Sequence, residues 1–200
     1  MDVLSAIRTR RSIKLFDPNY TLSAEQLSQL LDAITYCPTS YNLQNWRIVR
    51  VTDKSLREQI RKMASDQAQV TDASELLVIC GDILAWQKDP QRYWALASEE
   101  RQRFVLPKIH NFYTDREWMQ RDEVMRSGAI VGQTLMLAAK ALGLDSCPMI
   151  GFEQEAVAKL VQLPADHAIV MMLAIGKAAG PARPRGSQFG VDYFLRENHF

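Results

Sequence analysis

Two stretches carry no polar residue on either face: Leu76-Leu77-Val78-Ile79-Cys80 and Ala168-Ile169-Val170-Met171-Met172-Leu173-Ala174-Ile175. Successive side chains of a strand point to opposite sides, so a strand that is apolar at every position needs cover on both faces. A chain with two such strands must set them inside a sheet with helices above and below. The other periodicities supply those helices. Ser23-Ala24-Glu25-Gln26 is a capping box ahead of Leu27, Leu30, Leu31 and Ile34, which predicts a helix over about 24–36. Ser55-Leu56-Arg57-Glu58 reads as a second box, opening a helix that carries Leu56, Ile60 and Met63 and fades near Ser65. The strongest helical pattern runs over about 117–142 through Val124, Gly128, Val131, Leu135 and Leu142, and stops at Gly143. Gly128, Ala129 and Gly132 thin its middle, allowing another helix or backbone to approach.

Shorter elements complete the layout. Asp2 caps a helix carrying Val3, Leu4 and Ile7, Asp17-Pro18-Asn19 makes a turn, and Glu153 to Val161 is helical. Trp46 to Val51 and Asp145 to Pro148 are strands, while Gly81-Asp82 and Gly176 end the two buried ones. Between 86 and 119, Asp89-Pro90 and Leu106-Pro107 predict broken helices and the most variable, mobile part of the chain. The tail from Ala178 to Phe200 has no helical period, yet Phe189, Tyr193, Phe194 and Phe200 are too apolar for water, so it is expected to pack on something.

A chain of 200 residues with 47% apolar side chains can build one globular domain. Its net charge of +1 argues against bulk attraction to nucleic acid, so the local basic clusters suit one small anion better. No apolar run approaches the roughly 20 residues that span a bilayer, and the N-terminus lacks a secretory pattern; a soluble cytoplasmic protein is expected. Cys37, Cys80 and Cys147 are odd in number and lack CxxC spacing, which reads as free thiols and no metal site. Hydrolysis has little support: there is no Gly-x-Ser-x-Gly elbow, and His110, His167 and His199 form no triad or ligand spacing. No GxGxxG or P-loop appears, so a nicotinamide cofactor would come and go as a substrate.

The chemistry gathers elsewhere. In the heptad Arg10-Arg11-Ser12-Ile13-Lys14-Leu15-Phe16, an extended backbone would point Arg10, Ser12 and Lys14 one way and Arg11, Ile13 and Leu15 the other. Forked guanidinium, hydroxyl and ammonium donors suit a phosphate and its polar neighbours; taken alone, the heptad reads equally as a solvated strand end. One helix later, Pro38-Thr39-Ser40-Tyr41-Asn42-Leu43-Gln44-Asn45-Trp46 forms a loop dense in neutral donors and acceptors.

These two stretches, followed by Gln67-Ala68-Gln69-Val70 with Asp72-Ala73-Ser74, Pro148-Met149-Ile150-Gly151-Phe152 and Arg183-Pro184-Arg185, resemble in order the FMN-dependent nitroreductase family, and the resemblance spans nearly the whole chain. It implies an α+β, layered nitroreductase-like fold with a mixed, mainly antiparallel central sheet flanked by helices. It implies an intertwined homodimer in which residues 1–200 form one domain and 178–200 an arm packed on the partner subunit. It implies an NAD(P)H oxidoreductase in which FMN at the dimer interface takes hydride at N5 and hands it to a nitroaromatic, quinone or related acceptor. By motif, Arg10, Ser12 and Arg185 hold the phosphate and ribityl chain, with Arg11 and Arg183 nearby. Lys14 faces the pyrimidine edge and stabilises negative charge on the reduced ring, and Gln67 and Gln69 meet the same edge. Pro38, Thr39, Ser40 and Asn42 come from the partner, while Pro148, Ile150 and Gly151 lie at N5, where backbone N–H groups act; no side-chain acid is needed.

Three positions depart from the family pattern: Asn45 replaces a proline, which frees a φ and would loosen the pocket wall, Ile150 replaces an acidic residue, and Asp66 replaces an asparagine. Asp66 either pairs with Lys14 or is a solvated helix end. Two alternatives share the fold: a low-turnover FMN-storage protein, and a dimeric module without flavin.

Overall fold

The computed structural model describes all of residues 1–200. In chain order it contains α1 (Val3–Thr9), α2 (Ala24–Thr35), β1 (Trp46–Arg50), α3 (Lys54–Met63), α4 (Gln69–Asp72) and β2 (Glu75–Asp82). Then follow α5 (Glu99–Tyr113), α6 (Glu117–Ala141), β3 (Asp145–Met149), α7 (Gln154–Leu160), β4 (His167–Gly176) and α8 (Val191–Phe194). The four strands form one sheet in the order β1-β2-β4-β3, and every pairing is antiparallel. The parallel component is one bridge, Ser12 to Ser146, which sets the N-terminal segment along β3.

The two wholly apolar runs are the central strands β2 and β4, and each feeds two cores. Leu76, Val78, Cys80, Met172 and Ala174 face Ile60, Val70 and Val157 of α3, α4 and α7. Leu77, Ile79, Leu173 and Ile175 face Leu30, Ile34, Val131 and Leu135 of α2 and α6. The result is three layers, helices on both sides of an antiparallel sheet.

Local signals act mostly as expected. Ser23 and Gln26 make the capping box of α2, and Asp2 caps α1. At the end of α6, Gly143 takes φ +73° while Leu144 N–H donates to Ala139 and Gly143 N–H to Lys140, a Schellman stop. All three cysteines are buried and free.

Several expectations fail for identifiable reasons. The cap of α3 is Asp53, whose carboxylate accepts from Leu56 N–H at 2.6 Å, so Ser55 and Glu58 form no box; the anion two residues earlier takes the end of the helix. By contrast, β2 does end at Gly81-Asp82, and Gly81 sits where a Cβ would lie 2.7 Å from Val124 and 3.2 Å from the Asn45 carbonyl. The region 86–119 holds a short 3₁₀ turn and then α5, continuous through Pro107. Pro107 and Arg103 face solvent, so water can satisfy the carbonyl that proline leaves free. In the tail, α8 forms a single helical turn. No helix is long and apolar enough to cross a membrane.

The thin middle of α6 meets strand side chains. A Cβ on Gly128 would lie 2.5 Å from Val170 Cγ2, and one on Gly132 would lie 2.8 Å from Met171 Sδ, while Ala129 faces solvent. Val170 is β-branched and cannot swing aside, whereas the Met171 thioether can. Gly128→Ala should therefore cost about 1–3 kcal/mol in urea unfolding and Gly132→Ala distinctly less. Equal costs would contradict the assigned packing.

Candidate active site

The segment after α1 is extended but bent at Lys14, so its alternation breaks. Ile13 and Phe16 enter the core, while Leu15, expected beside Ile13, is 65% exposed. Ile13 N–H donates to Ser146 at 3.0 Å, Asp17 N–H to Lys177, and Ala179 N–H to Leu15. These bonds fasten the basic stretch between the start of β3 and the start of the tail.

Cations accumulate there without counter-ions. Arg185 Nη2 donates to the carbonyls of Arg8 (3.2 Å) and Arg10 (2.9 Å), and Arg11 Nη1 to the same two carbonyls at 3.0 Å. These oxygens lie at the C-terminal end of α1, where cations are favoured. Arg10, Arg11, Lys14, Arg183 and Arg185 take part in no salt bridge. Burial, then repulsion from Arg185 and Arg11, pulls the Arg10 guanidinium below its ordinary pKa, and its Nη1 is buried without an acceptor. A buried cationic nitrogen in that state has the chemistry to take an anionic acceptor from outside the chain. Ser12 is exposed beside it, and Arg183 stands free on the tail.

A few residues further along, polar groups line the end of β3. Lys14 Nζ lies 3.5 Å from Cys147 Sγ. Burial pushes that thiol's pKa up, opposed by Lys14. Gln69 is buried and donates from Nε2 to Gln67 Oε1 at 2.8 Å, while Gln67 Nε2 donates to the Gly151 carbonyl at 3.1 Å. After Pro148 on edge strand β3, a tight turn closes with Phe152 N–H on Ile150. The N–H groups of Ile150 and Gly151 have no acceptor within the chain, and Ile150 is 71% exposed. Asp66 does not pair with Lys14: its carboxylate accepts from Arg61 Nε at 2.7 Å and is 81% exposed. It follows α3 directly, within reach of the last basic turn.

The loop 38–44 lies apart from this cluster, and none of its hydrogen bonds reaches Arg10, Lys14, Gln67 or Gly151. Thr39 Oγ1 accepts from Gln44 N–H, Ser40 N–H donates to Glu123, Asn42 Nδ2 donates to the Tyr93 carbonyl, and Pro38 is exposed. Tyr41, Asn42 and Gln44 all have positive φ, at 51°, 56° and 41°. Asn45 does not loosen this wall. It is 3% exposed, and its carbonyl takes Asp82 N–H at 2.8 Å, pinning the loop to the end of β2. Within one chain, the site residues therefore form two groups: the cation and amide cluster, and the hydroxyl and amide loop.

Sequence reasoning passed over Cys147 as an incidental thiol, and it missed α4 and Glu123. Glu123 carried a readable signal, an acidic residue on the apolar face of α6 four residues before Ser127.

The nitroreductase family model matches residues 7–177. Protein DrgA of Synechocystis is 47% identical over 192 residues, covering 95% of this chain and 91% of its own length. A protein named NADH dehydrogenase from Thermus thermophilus is 30% identical over 202 residues, 92% of this chain and 90% of its length. A solved FMN complex from Exiguobacterium sibiricum superposes with a TM-score of 0.89 at 26% identity, covering 99% of this chain and 98% of that one.

Proposed function

This chain belongs to the nitroreductase family, and from that premise we propose that it is an FMN-dependent oxidoreductase of the cytoplasm, carrying hydride from NAD(P)H to nitroaromatic, quinone or similar electron-poor acceptors. The observation that carries this reading is the unneutralised arginine group around Arg10, whose buried Nη1 lacks an acceptor. A phosphate monoester dianion with polar atoms next to it meets those donors, and the neighbouring amides and free N–H groups suit the edge of a flavin ring. The FMN-bound relative and the one named NADH dehydrogenase agree with this cofactor pair.

FMN supplies the two-electron carrier when bound; the protein binds, orients and polarises it. Arg10, Ser12 and Arg185, with Arg11 and Arg183 beside them, hold the phosphate and ribityl chain. Lys14 would supply positive charge beside the polar edge of the bound ring. Gln67 and Gln69 fix that edge through their linked amides. The free N–H groups of Ile150 and Gly151, after Pro148, would serve as donors to the flavin at N5. Pro38, Thr39, Ser40 and Asn42 serve the site held mainly by the partner subunit.

Surfaces that one chain leaves open support a homodimer. On α1, Val3, Leu4 and Ile7 are exposed, and along 180–200 Phe189, Val191, Tyr193, Phe194 and Leu195 are all more than half exposed. Arg185 makes the only hydrogen bonds from 180–200 back to the body of its own chain. Strand β1 is an unpaired sheet edge. An arm of residues 178–200 laid on the partner would cover such surfaces.

The test uses purified protein. It is expected to be yellow or to become so with added FMN, and to oxidise NAD(P)H at a rate that depends on a nitroaromatic or quinone. Flavin binding without acceptor-dependent turnover would favour a storage role. A colourless protein that takes up no FMN would overturn the reading.

A further inference from the structure

We propose that Glu123 positions the loop 38–42 through which each chain completes its partner's flavin site; this rests on the shared-site reading given above. Glu123 is a carboxylate only 7% exposed, in the second turn of α6. Its Oε1 accepts from the Ser40 backbone N–H at 3.1 Å and from Ser127 Oγ at 2.7 Å, and Arg126 Nη1 lies 3.5 Å from Oε2. An acid is costly to bury, and here it binds no cofactor cluster; its main-chain partner is in the loop.

That loop needs an anchor. Two consecutive non-glycine residues, Tyr41 and Asn42, hold left-handed φ angles, with Gln44 a third close by. Such conformations persist only where neighbouring contacts over-determine them. Trp94 Nε1 donates to the Tyr41 carbonyl and Asn42 Nδ2 to the Tyr93 carbonyl, but both bonds join the loop only to the short 3₁₀ turn Pro90–Trp94. Tyr41 packs edge-on against Phe112 and Tyr113 of α5, but Glu123 supplies the loop's one hydrogen bond to α6, the helix that lies across the sheet. Tyr113, fully buried with its hydroxyl pKa pushed up to about 12 by burial, packs edge-on against the Tyr41 ring of the same loop. Without the carboxylate, the Ser40 N–H is left unsatisfied and the turn that presents Thr39, Ser40 and Asn42 relaxes.

This makes Glu123 a positioning residue whose effect is felt in the partner's site. Glu123→Ala homodimers should bind FMN about tenfold more weakly, with NAD(P)H-dependent turnover falling in step. Glu123→Gln, which retains an acceptor for Ser40 N–H and Ser127 Oγ, should restore most of that loss. If Glu123→Ala does not fold, Glu123→Met, closer in volume, carries the test. The decisive readout is mixing. Arg10→Ala and Glu123→Ala chains refolded together should recover up to roughly a quarter of wild-type sites, because half of randomly paired dimers are mixed and each has one intact site. Asn42→Ala with Glu123→Ala should recover none, since each chain then spoils the other's site. Arg10→Ala with Asn42→Ala is the control. If that control recovers sites but Arg10→Ala with Glu123→Ala does not, the role of Glu123 is overturned while the shared site stands. If the control also recovers nothing, the shared site and the action of Glu123 in the partner fall together. Full FMN binding by Glu123→Ala would overturn the proposal directly.

Discussion

Arg10→Ala should weaken FMN binding by one to two orders of magnitude while leaving riboflavin nearly unchanged. Arg10 is the member of the basic group with a buried, unpartnered nitrogen, so a phosphate there gains a charge-assisted hydrogen bond at a position already stripped of water. Such a bond is worth about 1.5–3 kcal/mol, or roughly ten- to a hundredfold in affinity. Arg10→Lys keeps the charge but loses the fork, and should fall between alanine and wild type. Arg185→Ala should act in the same direction with a smaller loss, because its Nη2 is already engaged with the Arg8 and Arg10 carbonyls. Fluorescence titration of the apoprotein with both flavins checks this. Equal losses for FMN and riboflavin would show that Arg10 does not meet the phosphate.

The largest expected loss of stability is at Arg57, far from this chemistry. Its guanidinium is buried and donates to three carbonyls, from Nε to Val51 at 2.8 Å, Nη1 to Ala73 at 2.6 Å and Nη2 to Ser74 at 3.0 Å. Burial lowers its pKa, with the nearby Glu75 opposing. Glu75 is itself held in a two-pronged pair with Arg50, at 2.6 and 2.7 Å. One side chain thus joins the end of β1, the start of β2 and α3. Arg57→Met would keep most of the volume and leave all three carbonyls without their donor, costing about 3–5 kcal/mol. For a chain of this size that lowers Tm by roughly 10 °C. Arg57→Lys, with one compact ammonium, should recover only part. Urea and thermal unfolding followed by circular dichroism measure both, and a loss below about 1 kcal/mol for Arg57→Met would mean that water replaces the guanidinium.

The link between this strut and the site is α4. Arg57 secures Ala73 and Ser74 directly after the turn that carries Gln67 and Gln69, so partial unfolding there would be felt at the amides facing Lys14. Loss of flavin from Arg57→Met should therefore accompany unfolding, whereas loss from Arg10→Ala should occur in a chain that remains folded.

What the sequence determined by itself were features encoded within a few residues. Leu76–Cys80 and Ala168–Ile175 required cover on both faces and became β2 and β4; Ser23 with Gln26 placed the start of α2; Gly143 placed the end of α6. Each rests on side-chain alternation, a cap or a permitted φ, which neighbouring residues decide. The motif order identified the family for the same reason, since the basic heptad, the hydroxyl loop and the Pro148–Phe152 turn are contiguous. Tertiary structure decided whatever depended on which groups meet across long separations. It set Gly81 against Val124 of α6, which occupies the space a side chain would need. It set Lys14 and Gln69 around Cys147 and placed Glu123 under Ser40, pairings across 133, 78 and 83 residues of chain. Local pattern carries no information about such contacts: burying a polar group is costly unless a partner arrives with it, and only the packed chain brings that partner.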